Sequence, residues 1–248
     1  MTSSAFCCCS GINIQPTIID HTGKAKKIAS AKKLIQEIQR YNDSYRTMQI
    51  DCQVALEIVA EDNLRDVRAF NATLTIQKPG EFHLSFVSEI GEKMVELFYR
   101  NGKAIILFVA KSLRETSVLP GIISSVANDI RAVFRLEPKL VPDRVEMEET
   151  VSFASGSAPL FDLKQYKDDL LVLQTTVFAA SLTISRNDWF DEKGTTRTIV
   201  FGDYHRHGTV PVPHSVIVST RGKTEYWFSV NVRSVQVNVE LKKGWFNQ

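Results

Sequence analysis

Apolar and polar side chains alternate along much of this chain, and that alternation limits the fold more than any other feature of the sequence. Between residues 48 and 60 every even-numbered side chain is apolar, and most of those between them are polar. The stretch FNATLTIQKPGEFHLSF, residues 70–86, alternates on both sides of a Lys-Pro-Gly turn. Because successive side chains of a strand point to opposite faces, these segments predict long antiparallel strands with one apolar face.

The same period predicts further strands at the following residues: 94–99, 103–110, 170–186, 195–204, 214–220 and 224–241. In the last of these segments the apolar residues change from even to odd numbers. A slip of one residue reverses every side chain, so a bulge or turn is required near Arg233 and Ser234. Residues 138–167, which contain the acidic run EMEE, show no period that we can assign and are predicted to be irregular.

Two segments have a helical period instead. Apolar residues recur every three or four positions in residues 24–41, with lysines on the other side, and again in residues 122–134. A wide antiparallel sheet must curl to hide its apolar face, and few helices are available to cover it. The sequence therefore predicts a mainly β, α+β fold: a strongly curved antiparallel sheet, or unclosed half-barrel, with helices plugging its concave face.

The composition fits one soluble globular unit. The 248 residues suffice for one large domain, and we assign residues 1–23 to an N-terminal tether and 24–248 to a single domain. Apolar residues make up 44% and charged residues 23%, which is ordinary. The net charge of +2 is too small to indicate a nucleic-acid-binding face. No run approaches the roughly 20 apolar residues that span a bilayer.

Three of the four cysteines, Cys7, Cys8 and Cys9, are adjacent near the N-terminus. Adjacent cysteines rarely form a disulfide framework. The stretch MTSSAFCCCSG is similar to what remains when a bacterial lipoprotein signal loses its front, although Phe6 stands where such a signal carries a small residue. Two alternatives stay open: one of these cysteines is acylated in a precursor that begins further upstream, or the segment is a tail with reactive thiols.

Candidate catalytic groups are few. Asp203, His205 and His207 alternate along one predicted strand and His214 follows, so one face could ligate a metal. A polar strand end beside a loop explains the same residues, and we favour it. Cys52 lies on an apolar strand face, where a thiol is inert. No glycine-rich phosphate loop is present. We therefore expect no enzyme activity, no metal and no cofactor.

Together these patterns resemble the LolA/LolB-like proteins, which carry lipoproteins through the bacterial periplasm or receive them at the outer membrane. The shared features are the basic amphipathic first helix, the long strand at 46–60 and the turn IQKPGEFHLSF. Two C-terminal segments fit as well: GDYHRHGTVPVPHSVIVS, and VRSVQVNVELKKGWF with Asn238 and Phe246. The resemblance covers roughly residues 24–248, except that the segment 138–167 has no counterpart in it.

The resemblance implies an apolar cavity between an unclosed β-barrel and the helices at its mouth. It implies a lipoprotein of the bacterial cell envelope, in the periplasm or on the periplasmic face of the outer membrane, that binds lipid or lipoprotein acyl chains. The expected cavity lining consists of twelve apolar residues: Ile50, Val54, Leu56, Leu74, Ile76, Phe82, Leu84, Phe86, Leu97, Ile123, Val126 and Ile130. The alternative is an envelope structural or interaction module, or a sensor, with a self-filled cavity and a protein partner.

Overall fold

The computed structural model describes residues 17–19, 21, 23–24, 26–59, 65–88, 90–101, 103–108, 126, 128–134, 142–152, 158–221 and 225–241. Helix α1 spans Ala31–Asn42, and helix α2 is described at residues 126 and 128–133. The strands are β1 (Thr17–Ile18), β2 (Thr47–Val59), β3 (Arg65–Gln77), β4 (Glu81–Val87), β5 (Lys93–Arg100), β6 (Lys103–Phe108), β7 (Arg144–Ser152), β8 (Ala158–Lys167), β9 (Leu170–Phe178), β10 (Ile184–Asp191), β11 (Gly194–His207), β12 (Val210–Thr220) and β13 (Glu225–Val237).

All the strands of the described residues belong to one antiparallel sheet, and its order follows the chain except at one place. The order is β6-β5-β4-β3-β2-β13-β12-β11-β10-β9-β8-β7, with the short β1 beside β11. The last strand, β13, thus lies in the middle, between β2 and β12. In the described part of the chain, β6 and β7 at the two ends pair with no further strand. The predicted unclosed half-barrel is confirmed.

One face of this sheet and the two helices share a single hydrophobic core. In β4, for example, the three buried residues alternate with half-buried ones across the whole strand. Leu34 and Ile38 of α1 and Ile130 of α2 are buried against the same face. The helices therefore cover the apolar side of the sheet, as the sequence predicts.

Helix α1 begins at Ala31 and not at residue 24 as predicted. The side chain of Ser30 decides the start, because its Oγ accepts a hydrogen bond from the backbone N–H of Lys33 at 3.3 Å. The preceding backbone is held elsewhere, since the N–H of Lys26 donates to the carbonyl oxygen of Ala179 at 3.0 Å. Ile28 thus packs against the core from a segment that precedes the helix.

The Lys-Pro-Gly turn between β3 and β4 is attached to the C-terminal end of α1. Lys78 Nζ donates to the carbonyl oxygen of Asn42 and, at 2.8 Å, to its Oδ1. The same ammonium lies 3.5 Å above the centre of the Tyr45 ring. The last carbonyls of a helix lack partners and carry partial negative charge, so a lysine is favourable there. The turn thereby fixes α1 relative to the sheet.

The bulge predicted in the last strand is confirmed. The pairing of β13 with β2 shifts between Val232 and Ser234, and Arg233 is the extra residue. The shift lets even-numbered residues before it and odd-numbered residues after it face the core, where Val235 and Val237 are partly buried.

The prediction that residues 138–167 are irregular is wrong. Strands β7 and β8 form a regular antiparallel hairpin within that segment. In β7, Val145 and Met147 pack against the core, while Glu146 and Glu148, which alternate with them, are exposed. The acidic run is therefore the solvent face of an edge strand, where charged residues protect against unwanted strand pairing.

The single strand predicted at 170–186 is two strands, β9 and β10, joined by a turn at residues 179–183. The turn contains no glycine or proline, which are the usual sequence signals for a turn. Instead Leu182 adopts a left-handed conformation with φ of 62°, and its N–H donates to the carbonyl oxygen of Phe178 at 2.8 Å. The apolar side chain of Leu182 is buried, which offsets its backbone strain.

Candidate functional site

An apolar cleft lies where the two helices meet the sheet. It encloses about 90 Å³ between α1, α2 and the strands β10 to β12. Its lining is mostly aliphatic and aromatic and comprises sixteen residues: Ile38, Tyr41, Asn42, Tyr45, Met48, Val133, Phe134, Leu182, Thr183, Ile184, Phe201, Tyr204, Val210, Pro211, Val212 and Pro213. We refer to this space as the cleft.

The hydroxyl groups of two tyrosines that line the cleft are directed to backbone carbonyls. Tyr204 donates to the carbonyl oxygen of Ile184 at 2.8 Å, and Tyr41 is 3.5 Å from that of Ser181. Each hydroxyl group is thus hydrogen-bonded to the backbone of residues 181–184, and the aromatic ring adds apolar surface to the cleft. An apolar ligand therefore meets few polar atoms in this part of the cleft.

Helix α2 is joined to the sheet by a buried polar cluster. Asp129, only 2% exposed, accepts hydrogen bonds from Tyr226 of β13 at 2.5 Å and from Arg197 of β11 at 3.1 Å. Burial raises the pKa of Asp129, while its two partners oppose that rise. On the same helix, the guanidinium of Arg131 lies 4.3 Å above the ring of Tyr99 in β5. These contacts hold α2 across the apolar face of the sheet.

The predicted cavity-lining residues are placed together, but away from the cleft. Eleven of the twelve are buried in the common core, and Ile123 lies outside the described residues. None of those eleven borders the cleft, to which β2 contributes only Met48. Their contact with an acyl chain stays a prediction. The residues that do line the cleft come mostly from the ends of α1 and α2 and from the β11–β12 hairpin.

One sequence signal for the cleft was available in the proline-containing stretch VPVP at the start of β12. Proline donates no backbone hydrogen bond and is rare inside a sheet unless the sheet is irregular or at an edge. Pro211 and Pro213 pair with Arg206 and Tyr204 beside Asp203, whose φ is 47°. The position of α1 above this hairpin cannot be read from the local sequence.

The polar residues singled out in β11 and β12 come together at this hairpin. His205 Nε2 is 2.9 Å from Asp203 Oδ1, and His207 Nε2 is 3.0 Å from His214 Nε2. Burial, followed by the neighbouring histidines, lowers the pKa of His207 to about 4. Burial also lowers the pKa of His214. These two imidazoles are thus neutral at pH 7.

Cys52 is buried in β2, and its thiol lies 3.7 Å from the carbonyl oxygen of Ala72. Burial raises the pKa of Cys52 to about 12, so the thiolate needed for nucleophilic attack does not form at neutral pH. This agrees with the expectation that Cys52 is a core residue. Cys7, Cys8 and Cys9 lie outside the described residues.

Among the described residues, no helix has the length and apolar character needed to cross a membrane. No family model matches the chain, and no curated protein matches its sequence.

Solved structures do resemble the chain. One is a LolA superfamily protein from Nitrosomonas europaea, with a TM-score of 0.51 and 9% identity, over 89% of this chain and 99% of that one. Another is a DUF1329 family protein from Desulfovibrio piger, with a TM-score of 0.50 and 12% identity, over 86% of this chain and 94% of that one. At such identities the likeness concerns the fold. The resemblance to LolA-like proteins is confirmed at that level.

Proposed function

We propose that this chain is a non-catalytic cell-envelope protein that binds lipid or lipoprotein acyl chains in an apolar cavity. The observation that carries the proposal is the cleft, an apolar space between two helices and an unclosed sheet. The fold likeness to a LolA superfamily protein supports the same assignment. We place the protein in the bacterial periplasm or on the periplasmic face of the outer membrane, where it takes part in lipid or lipoprotein transport.

An acyl chain needs a protein carrier because its exposure to water is strongly unfavourable. Exposing an acyl chain to water costs about 0.8 kcal/mol per CH₂, or roughly 12 kcal/mol for sixteen carbons. A protein that carries the chain through an aqueous space must replace most of that contact with apolar side chains. The aromatic and aliphatic walls of the cleft, including Phe201 and Phe134, are of the required kind.

The cleft must widen to accept an acyl chain. Its volume of about 90 Å³ is below the roughly 300–1,000 Å³ of typical ligand pockets. Helix α2 is the element whose movement would widen the cleft, because Val133 and Phe134 at its end line it. The hydrogen bonds of Asp129 to Arg197 and Tyr226 oppose that movement and would have to yield or tilt with it. We infer that α2 acts as a lid that shifts when a chain enters. The predicted lining residues Val126 and Ile130, which belong to α2 itself, would then contact the ligand.

Native mass spectrometry of the purified full chain, followed by lipid extraction, tests the proposal. We expect acyl lipid to co-purify with the protein and to be released on unfolding. Val133→Phe, which places a phenyl ring in the cleft, should reduce the lipid-bound fraction. Val151→Phe, an exposed position on the edge strand β7, serves as the control and should leave it unchanged. Lipid-free protein that also fails to bind added fatty acid would contradict the proposal.

Hydrogen exchange tests the lid. In the empty protein the amides of α2 should exchange faster than those of β2, and adding lipid should slow them. If α2 and β2 have equal protection that lipid does not change, α2 is a fixed part of the core.

A structural or interaction module is the second candidate. It is favoured by the tight packing of the predicted lining residues, since Ile50, Ile76, Phe82 and Leu97 are all 0% exposed. Such a module would bind a protein partner and no lipid. The lipid extraction described above separates the two candidates.

We further propose that Cys7, Cys8 or Cys9 carries a lipid anchor to the outer membrane. A single acyl chain binds a membrane weakly, whereas several chains anchor it firmly. Fractionation of the protein from its native host, with intact-mass measurement, tests this. Unmodified protein in the soluble fraction would contradict the anchor without affecting the cleft.

A further inference from the structure

The end of the β11–β12 hairpin gathers four groups of the kind that bind transition metals. Ligand atoms of Asp203, His205 and His214 all lie within 4.8 Å of one another. His207 approaches the same histidine from another side, with its Nε2 3.0 Å from that of His214. We propose that this hairpin binds a divalent transition-metal ion of the zinc type through these four ligands: Asp203, His205, His207 and His214. The proposal does not depend on the function of the cleft.

The distances are close to those of an occupied site. Bonds of about 2.0–2.1 Å to a tetrahedral ion put neighbouring ligand atoms roughly 3.3 Å apart. The contact between His207 and His214 already meets this separation, as does the 2.9 Å between Asp203 Oδ1 and His205 Nε2. His214 connects the two pairs. Its Nε2 is the partner of His207, and its ring stacks on that of His205 with centroids 4.0 Å apart. Three of the four groups, Asp203, His205 and His214, thus have ligand atoms close enough to share one ion, and His207 stands beside His214 as the fourth.

The three imidazole rings of the cluster lie next to one another. The ring of His205 is stacked on that of His214, and the centroids of His207 and His214 are 5.3 Å apart. An ion at this place would therefore meet imidazole nitrogens from both β11 and β12, which are the ligands that zinc takes most readily.

Neighbouring strands support the ligands from behind. His214 makes a hydrogen bond to the backbone of Val232 in β13, which is the kind of contact that fixes a ligating imidazole. His207 is 7% exposed, so its ring has little freedom to turn away. Asp203, by contrast, is more than half exposed at the side chain and would close the site from the solvent side.

The ligand set selects a class of ion. Imidazole with one carboxylate suits zinc, copper and nickel, whereas calcium and magnesium require mostly oxygen ligands. We therefore expect binding of Zn²⁺ and no measurable binding of Mg²⁺ at the same concentration.

Isothermal titration of the full chain with Zn²⁺ alone tests the site. The experiment uses a background with Cys7→Ser, Cys8→Ser and Cys9→Ser, because N-terminal thiols would bind zinc themselves. We expect one ion per chain. His214→Gln, which removes the central ligand, should weaken binding at least about 100-fold. His83→Gln, a histidine of β4 outside the cluster, is the matched control and should bind zinc as the background does.

A second measurement avoids the risk that a variant misfolds. In the same background, imidazole ¹⁵N resonances should shift on adding Zn²⁺ for His205, His207 and His214 but not for His83. Zinc affinity weaker than about 1 mM would overturn the proposal. So would equal affinity in the folded His214→Gln variant, or resonance shifts confined to histidines outside the cluster.

Discussion

The two sides of the sheet differ in how regularly their strands pair. From β2 to β4 the pairing is continuous, with every residue of β2 matched to one of β3 and no shift along the β3–β4 hairpin, and the shifts on this side lie at its borders with β5 and β13. Around β10 the pairing shifts twice, once with β9 and once with β11. The apolar residues that β2, β3 and β4 turn to the core are at most 8% exposed where they are buried, and the cleft lies mainly beside β10, β11 and β12.

This difference teaches that strict alternation predicts a filled wall and does not by itself predict a cavity. Regular strands present their side chains in evenly spaced rows, and such rows pack closely against the side chains of the helices. A bulge or a left-handed residue, such as Asp203 or Leu182, turns the strand and disrupts the row. In this protein the cleft borders two such places, the turn at Leu182 and the start of β10 at Ile184, where the pairing with β9 shifts.

The largest expected effect is at the centre of the filled wall. Leu74 is 3% exposed in β3, so Leu74→Asp puts an unpaired carboxyl group into the core. We expect it to lower the free energy of unfolding by more than about 5 kcal/mol and to prevent cooperative folding. Ala69→Asp, exposed in the same strand, should change it by less than about 0.5 kcal/mol in a urea titration. Equal urea midpoints for the two variants would show that the face assignment is wrong.

The next effect is at the buried contact between α2 and the irregular side. Asp129→Ala leaves Arg197, whose side chain is 17% exposed, without this carboxylate. Breaking such a buried pair should cost about 3–5 kcal/mol in the free energy of unfolding. The exposed pair of Glu37 and Arg40 on α1 is the control, and Arg40→Ala should cost less than about 0.5 kcal/mol. If the two variants lose similar stability, α2 is not held by Asp129.

A matched pair of valines compares the two sides directly. Val54 in β2 and Val133 in α2 are 6% and 8% exposed, but only Val133 borders the cleft. Val54→Phe should overpack the filled wall and cost about 1–3 kcal/mol. Val133→Phe has space to enter and should cost less than about 1 kcal/mol by the same denaturation measurement. The reverse order would mean that the cleft is not available to side chains.

The smallest effect is a pH dependence. Burial raises the pKa of Asp129 from its ordinary 3.8, so the folded state binds this proton more tightly than the unfolded state. The associated stability is fully present below about pH 3.8 and is lost as the pH rises through the raised pKa. Relative to Asp129→Asn, the wild type should therefore become more stable as the pH falls from 7 towards 4. A difference that is constant over this range, or that changes in the opposite direction, would contradict the raised pKa.

The sequence by itself determined the architecture where the local signals were strong. The period-two stretches of residues 48–60 and 70–86 predicted β2, β3 and β4 with the correct faces, and the change of phase near Arg233 predicted the bulge. Local signals failed where tertiary contacts replaced the usual turn and cap residues. The turn at residues 179–183 lacks glycine and proline, and the β7–β8 hairpin has an acidic outer face.

Only the tertiary structure decided where the cleft and the histidine cluster lie. Which residues of a strand are buried follows from the alternation of apolar and polar residues, and this alternation can be read along the sequence. Whether two packed surfaces leave a gap depends on the relative positions of α1, α2 and the β11–β12 hairpin, which are far apart in the chain. Likewise, spacing placed Asp203, His205 and His207 on one strand. It was the pairing of β11 with β12 that brought His214 to 3.0 Å from His207, because strand register is a property of two segments together.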